Sequence, residues 1–420
     1  MALRRLGRRW FTPPRVYADV DDSLRHATWL ELFFDLVFVV AIAELGGYLH
    51  EHLTLVGFLH FAGLFAIVWW IWLDISYFSD TYDTEDPMSM AMMLGAMFGV
   101  VFLSQTVEGA FAGGSFAFGV AVFVLRSFLA FSHLRARKLR ADVGSDERAF
   151  LTTWIGLELL VTLVWGLSLL VPEPGRYGLW ASSVVLRVAG LTVIYLTFET
   201  IIAPRASHCN ERLGLFTILV LGETILAVAT GVSIAAFTPT VLVLGALSFW
   251  IAVSTWWLYF HRYDERVYDR TLLSQSVHWA KRRPRGIAHV YAHLLVHSGI
   301  VVTGVGIAIA LEEAIAHHAL GTGSRVAICL GLAAFLLGSG ISHWMAPASL
   351  DGRAIAGRAT VIGFLGLLAI AGGTLSPVAV VGSIALGLAV LIAYESATAR
   401  EDVSRPRPSD DAVGDSVDAP

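Results

Sequence analysis

The sequence predicts an all-α polytopic membrane protein, with about twelve transmembrane helices in two parallel six-helix repeats. Three observations lead there. Hydrophobic residues make up 56% of the 420 and charged residues only 15%, with a mean hydropathy of +0.68, a balance foreign to ordinary soluble domains. Apolar stretches of roughly 20 residues recur along the chain, each long enough to cross a bilayer as a helix. They are continuously apolar, without the alternation of lipid-facing strands, which argues against a β-barrel. Short sequence blocks of the first half also return, in order, in the second.

Taken in order, Met1 to His26 is basic and has no apolar core, so it is not read as a cleaved signal peptide. The expected spans are 30–49, 55–78, 89–107, 116–134, 150–171, 179–201, 212–232, 240–260, 288–311, 325–345, 357–374 and 376–395. The tail after Ala397 is rich in Pro, Ser and Asp and is expected to be disordered. The chain therefore divides into a basic cytoplasmic segment (1–28), a first repeat (29–203), a second repeat (204–396) and a cytoplasmic tail (397–420). Cys209 and Cys329 are too far apart for a redox or zinc motif and are read as free thiols.

Orientation follows from basic residues. Arg4, Arg5, Arg8 and Arg9 precede the first span, and Arg135, Arg137, Lys138 and Arg140 follow the fourth. Arg262, Arg266, Arg270 and the run Lys281 to Arg285 separate the eighth from the ninth. The opposite loops offer Arg176 and Arg325. The positive-inside rule then puts both termini in the cytoplasm of a plasma (inner) membrane protein. Trp69, Trp70, Trp72, Tyr77 and Phe78, and later Trp256, Trp257, Tyr259 and Phe260, are expected as aromatic belts at the cytoplasmic interface.

The repeat is read from ordered matches. Arg148-Ala149 and Trp154-Ile155-Gly156-Leu157 recur as Arg358-Ala359 and Phe364-Leu365-Gly366-Leu367. Ser132-His133 recurs as Ser342-His343, and Gly190-Leu191-Thr192-Val193 as Gly387-Leu388-Ala389-Val390. The first helix corresponds to the seventh. Six being even, both halves cross in the same sense, as a parallel repeat.

The blocks Trp29–Glu44 and Glu211–Ile225 resemble the bacterial low temperature requirement A family, and length and helix number agree over nearly the whole chain. The resemblance implies an integral bacterial membrane protein of a family named for a cold-growth phenotype rather than a mechanism. A more distant similarity is to the six-helix-repeat potassium channels of the lysosomal type, whose first helix carries Phe-Ser-Asp. Here Phe33-Phe34-Asp35 keeps the Phe and Asp without the Ser, and Phe216-Thr217-Ile218 lacks the Asp, so no filter or gate is assigned.

The polar groups inside apolar spans are the candidate site, because an ionised side chain in hydrocarbon must find water, a proton or a partner. The first helix carries Glu31, Asp35 and Glu44. Glu31 complements the helix dipole at its start. Asp35, one turn deeper, either bonds a neighbouring helix or guards the cytoplasmic end of an ion pathway. Glu158 and Glu223 lie mid-span, with Arg126 and Arg187 at similar depth, as structural ion pairs or as members of a proton- or ion-coupled site. His289, His293 and His297 form an i, i+4, i+8 stripe that suits a proton relay, a metal with further ligands, or hydrogen bonds between helices. Glu312, Glu313, His317 and His318 make an outer acidic–histidine group, a solvated loop or a divalent-cation trap.

No HExxH, GxSxG, Walker or Rossmann pattern is present, so no cofactor is specified and catalysis is not the leading expectation. The basic run at Lys281 reads as a topological anchor and anionic-lipid contact rather than a nucleic-acid site. The leading expectation is a transporter or channel for a small ion, proton or solute. Its pathway candidates are Asp35, Glu44, Glu223, Arg126, Arg187, Glu158, His293 and His297. The alternatives are a membrane-embedded, metal-assisted enzyme acting on lipid and a non-catalytic cold-stress protein. Partners are the lipid bilayer and a small ion or proton, and homo-oligomerisation is left open.

Overall fold

The computed structural model describes residues 27–82, 86–139, 144–198, 206–234, 238–261, 279–316, 319–345 and 352–404. The arginines before the first span, Arg140, Arg262, Arg266, Arg270, His317, His318 and the end of the tail lie outside them. Among the described residues are twelve helices long and apolar enough to cross a membrane, and no strand. They are α1 (Trp29–Glu51), α2 (Leu55–Thr81), α3 (Pro87–Ser104), α4 (Ser115–Leu139), α5 (Ser145–Ser168), α6 (Gly175–Thr197), α7 (Ala206–Ile234), α8 (Pro239–Phe260), α9 (Trp279–Ile315), α10 (Thr322–Met345), α11 (Gly352–Ala371) and α12 (Pro377–Ser404). The fold is thus that of a polytopic α-helical membrane protein, and each span falls within a few residues of its expected place.

Local chemistry sets the ends. Thr28 and Glu31 form a capping box on α1: the Thr28 hydroxyl accepts from Glu31 N (3.3 Å) while Thr28 N donates to Glu31 Oε2 (2.7 Å). Asp86 caps α3 through Met88 N and Ser89 N, with Pro87 at the first helical position, and Thr238 and Pro239 open α8 in the same way. The third helix stops at Ser104, short of the expected 107, and a 3₁₀ turn (Glu108–Phe111) follows. There Ser104 and Thr106 hydroxyls donate to the carbonyls of Val101 and Leu103, competing with helical bonding. The run Lys281 to Arg285 lies on the first turns of α9 rather than in a loop.

The bundle is organised around α9. Of its apolar window 72% is buried, against 22% for α11 on the periphery. It packs on α7, α8 and α10 and also reaches α1, α2 and α6. Gly95 and Gly99 lie against α4, at Phe128 and Leu125, as close-packing positions. The tightest crossing is between α9 and α10, where backbones touch: a Cβ on Gly299 would lie 2.5 Å from Gly331 O, and one on Gly331 would lie 2.6 Å from Thr303 N.

One expectation is overturned. Trp69, Trp70 and Trp72 are not an interfacial belt but fully buried core. Trp69 and Trp72 are held inside by their N–H groups, which serve buried acceptors on His297 and Asp35. Trp256 does remain exposed.

Gly331→Ala is expected to destabilise the protein by about 1–3 kcal/mol, because neither backbone can move aside. Gly363→Ala, at an exposed site with no atom nearby, should leave stability unchanged or slightly raised. Thermal unfolding in detergent measures both.

Candidate functional site

The functional candidate is a buried polar cluster where α1, α2 and α7 meet. Asp35 lies six residues into α1, about 9 Å along its axis, and is fully buried. Arg212 of α7 grips it as a fork, with Nη2 to Oδ1 at 2.7 Å and Nε to Oδ2 at 3.1 Å. Trp72 Nε1 donates to the same Oδ1 at 2.8 Å. The guanidinium also donates from Nη2 to Ser76 Oγ (3.0 Å) and from Nη1 to Ser79 Oγ (3.4 Å) and Asp80 Oδ1 (3.3 Å), all on α2. Glu31 Oε1 stands 3.9 Å from Nη1. His208, one turn before Arg212, puts Nδ1 3.3 Å from Asp80 Oδ1 and Nε2 4.0 Å from Glu31 Oε2. One guanidinium therefore faces three carboxylates.

A second cluster ties α2, α4, α5 and α6. Arg187 Nε lies 3.1 Å from both oxygens of Asp74, and its Nη2 also donates to Oδ1. Arg126 Nη1 donates to Asp74 Oδ2. Glu158 closes the set, 2.9 Å from Arg187 Nη1 and 3.7 Å from Arg126 Nη1. The Arg187 guanidinium also sits 5.1 Å from the Trp154 ring centre. Two cations meet two anions, so the quartet is neutral. In the other half of the chain, Arg358 (α11) is held by Glu395 (α12) at 2.7 Å, by Ser339 Oγ (α10) at 2.9 Å and by Leu258 O (α8) at 3.3 Å.

The histidine stripe is spoken for by protein partners. Trp69 Nε1, which can only donate, reaches His297 Nδ1 at 2.9 Å, so the ring proton sits on Nε2 and donates to Thr217 Oγ1 at 2.9 Å. His293 bonds His289 O at 2.8 Å and Tyr259 OH at 2.8 Å. His289 bonds Asn210 Oδ1 at 3.0 Å and Ser342 Oγ at 2.9 Å. Every ring nitrogen has a protein partner, so the stripe fastens α9 to α2, α7, α8 and α10.

The expected site residues thus divide. Asp35 sits in the α1–α2–α7 cluster, and Glu158, Arg126 and Arg187 meet one another around Asp74. Glu44 and Glu223 are half-buried and join neither cluster. Of the outer group, Glu312 meets His50 at 3.3 Å, and Glu313 accepts from Gly321 N and Ser324 Oγ at 2.9 and 2.7 Å. The sequence reading passed over Asp74, Asp80, His208 and Arg212. The signal was present for three of them: Asp74, Asp80 and Arg212 are charges in or at the ends of apolar runs, as Asp35 is. They were obscured by the aromatic cluster beside them and by reading Arg212 only as part of a repeat.

The sequence model of the bacterial low temperature requirement A protein family matches residues 26–393. An uncharacterized protein of Rhizobium meliloti is 33% identical over 299 residues, covering 67% of this chain and 68% of that protein. No solved structure matches the chain.

Arg187→Leu should cost about 3–5 kcal/mol, because it strands buried carboxylates. Adding Glu158→Leu restores charge balance around Asp74 and should recover much of that loss. Thermal unfolding of the single and double variants checks the difference.

Proposed function

The chain belongs to the bacterial low temperature requirement A family, and we propose that it acts as a transporter or channel for a small ion or proton, with the Asp35–Arg212 pair as its working part. One observation carries this: a single buried guanidinium is shared among Asp35, Asp80 and Glu31, at 2.7, 3.3 and 3.9 Å. A proton or cation arriving at one carboxylate weakens that contact, and Arg212 can turn to another without leaving the protein. Asp35 lies in the first half of the chain and Arg212 in the second, so the exchange alters the contact between halves. An ionisable residue within an apolar span is a functional-site candidate by default. Glu44, nine residues beyond Asp35 and about 13.5 Å along the helix, and Glu223 on α7 are proposed as stations toward the opposite face. The Asp74 quartet and the histidine stripe are proposed as the frame around this pathway.

The two halves are proposed as parallel repeats, 29–203 and 204–396. Supporting this, α1 packs on α2 and α3, α2 on α4 and α6, and α3 to α6 pack in sequence; the same neighbours recur among α7 to α12. Asp74, Arg126, Glu158 and Arg187 draw on α2, α4, α5 and α6, while Leu258, Ser339, Arg358 and Glu395 draw on the corresponding α8, α10, α11 and α12. The basic-residue asymmetry supports an inner-membrane protein with both termini cytoplasmic.

A second reading, an enzyme acting on lipid, is favoured by a groove between α2, α3 and α4. Apolar side chains such as Met93, Leu125 and Phe128 line it together with Ser79, one of the residues that accept from Arg212.

Liposomes containing the purified protein should show ion or proton flux that falls to background with Asp35→Asn and is reduced by Glu223→Gln. Wild-type flux in both variants, with only expression lowered, would make the cluster structural. Lipid turnover without flux would select the second reading. Cysteines at Ala112 and Lys138 should label from opposite sides of the membrane, and labelling from one side would overturn the topology.

A further inference from the structure

The α1–α2–α7 cluster differs from the other buried ion pairs in composition as well as place. The Asp74 quartet is neutral, and Arg358 is matched by Glu395. Within the set Glu31, Asp35, Asp80, His208 and Arg212, three carboxylates face one guanidinium with an imidazole beside them. Carboxylate and imidazole are ligand types that a divalent transition-metal cation takes.

Glu31, Asp80 and His208 are all buried, and one ligand atom from each lies within 4.8 Å of the others. Two of the three ligands are already oriented. Thr28 N holds Glu31 Oε2 through the capping box, and Arg212 Nη1 holds Asp80 Oδ1. Such outer contacts fix ligand direction in metal sites. Asp35, gripped by Arg212 and Trp72, stays out of the ligand set. The stripe of α9, the more obvious sequence candidate for metal, has no ring nitrogen to spare.

We infer that Glu31, Asp80 and His208 form a binding site for one divalent first-row transition-metal cation of the Zn²⁺ or Mn²⁺ kind. One imidazole with two carboxylates suits these ions better than Mg²⁺ or Ca²⁺, which take oxygen ligands. Three protein ligands leave a coordination position open for water or a substrate atom. The ion would join the start of α1 to α2 and α7. The inference rests on these ligands and not on the transport reading, and it holds equally for the lipid-enzyme reading.

The full-length protein, purified in detergent and stripped with EDTA, is titrated separately with Zn²⁺, Mn²⁺ and Mg²⁺. Retained metal is counted by mass spectrometry after desalting, and thermal unfolding is followed in parallel. One equivalent of Zn²⁺ or Mn²⁺ should be retained, with a rise in melting temperature that Mg²⁺ does not match. Asp80→Asn should lose both effects, but it also removes a partner of Arg212. His208→Gln, which leaves every Arg212 contact in place, is therefore the decisive variant and should weaken apparent affinity by at least about tenfold. His293→Gln should bind as wild type does, whatever its own melting temperature. Retention well below one equivalent, or equal retention by His208→Gln, overturns the site. Because retention is read without flux, this test and the Asp35→Asn flux test can fail independently.

Discussion

A guanidinium buried between helices must satisfy five N–H donors and one positive charge without water, and Arg212 does so only where α1, α2 and α7 converge. Nε and one Nη2 hydrogen go to Asp35, the other to Ser76, and Nη1 serves Ser79 and Asp80. Moving any of the three helices by a residue would strand a charge at several kcal/mol. The neighbouring core is arranged to match. Trp72 completes Asp35, Trp69 next to it completes His297, and His297 leads through Thr217 back to α7. The seam between the halves of the chain is therefore polar and specific in register, where an apolar seam would tolerate slippage.

The two large clusters divide the labour by charge balance. Around Asp74, two guanidiniums meet two carboxylates, with Arg187 forked onto Asp74 and further braced by Trp154. Such a charge-balanced network ties α2, α4, α5 and α6 together. Around Arg212, three carboxylates share one guanidinium where the halves touch. On the proposed reading this cluster is the one that responds to protons or metal ions, so that stability and responsiveness fall to different residues within the same few helices.

Much of the architecture was legible because lipid imposes a single rule on every span: sustained apolarity over about 20 residues. The starts of α1, α3 and α8 are set by Thr28, by Asp86 with Pro87, and by Thr238, local signals that hydropathy alone does not read. The site was only half legible. Asp35 announced itself as an acid in an apolar run, but its partner sits 177 positions away, and nothing local in either segment connects the two. The aromatic residues of α2 misled for a physical reason: an indole suits both a membrane interface and a buried acceptor, and only the presence of Asp35 and His297 nearby decides between them. The spacing of the histidine stripe was plain, but whether its nitrogens were free depended on Trp69, Thr217, Tyr259, Asn210 and Ser342, from four other helices.

The central claim is that the Asp35–Arg212 pair works rather than merely holds. The direct test is the charge-neutral double variant Asp35→Asn with Arg212→Gln, reconstituted in liposomes and compared with each single variant for melting temperature and ion flux. The account predicts that the double variant is more stable than either single variant and carries no flux, because the exchangeable charges are gone although their volumes remain. A double variant that regains stability and conducts like the wild type would show that the pair is structural, and would contradict the account.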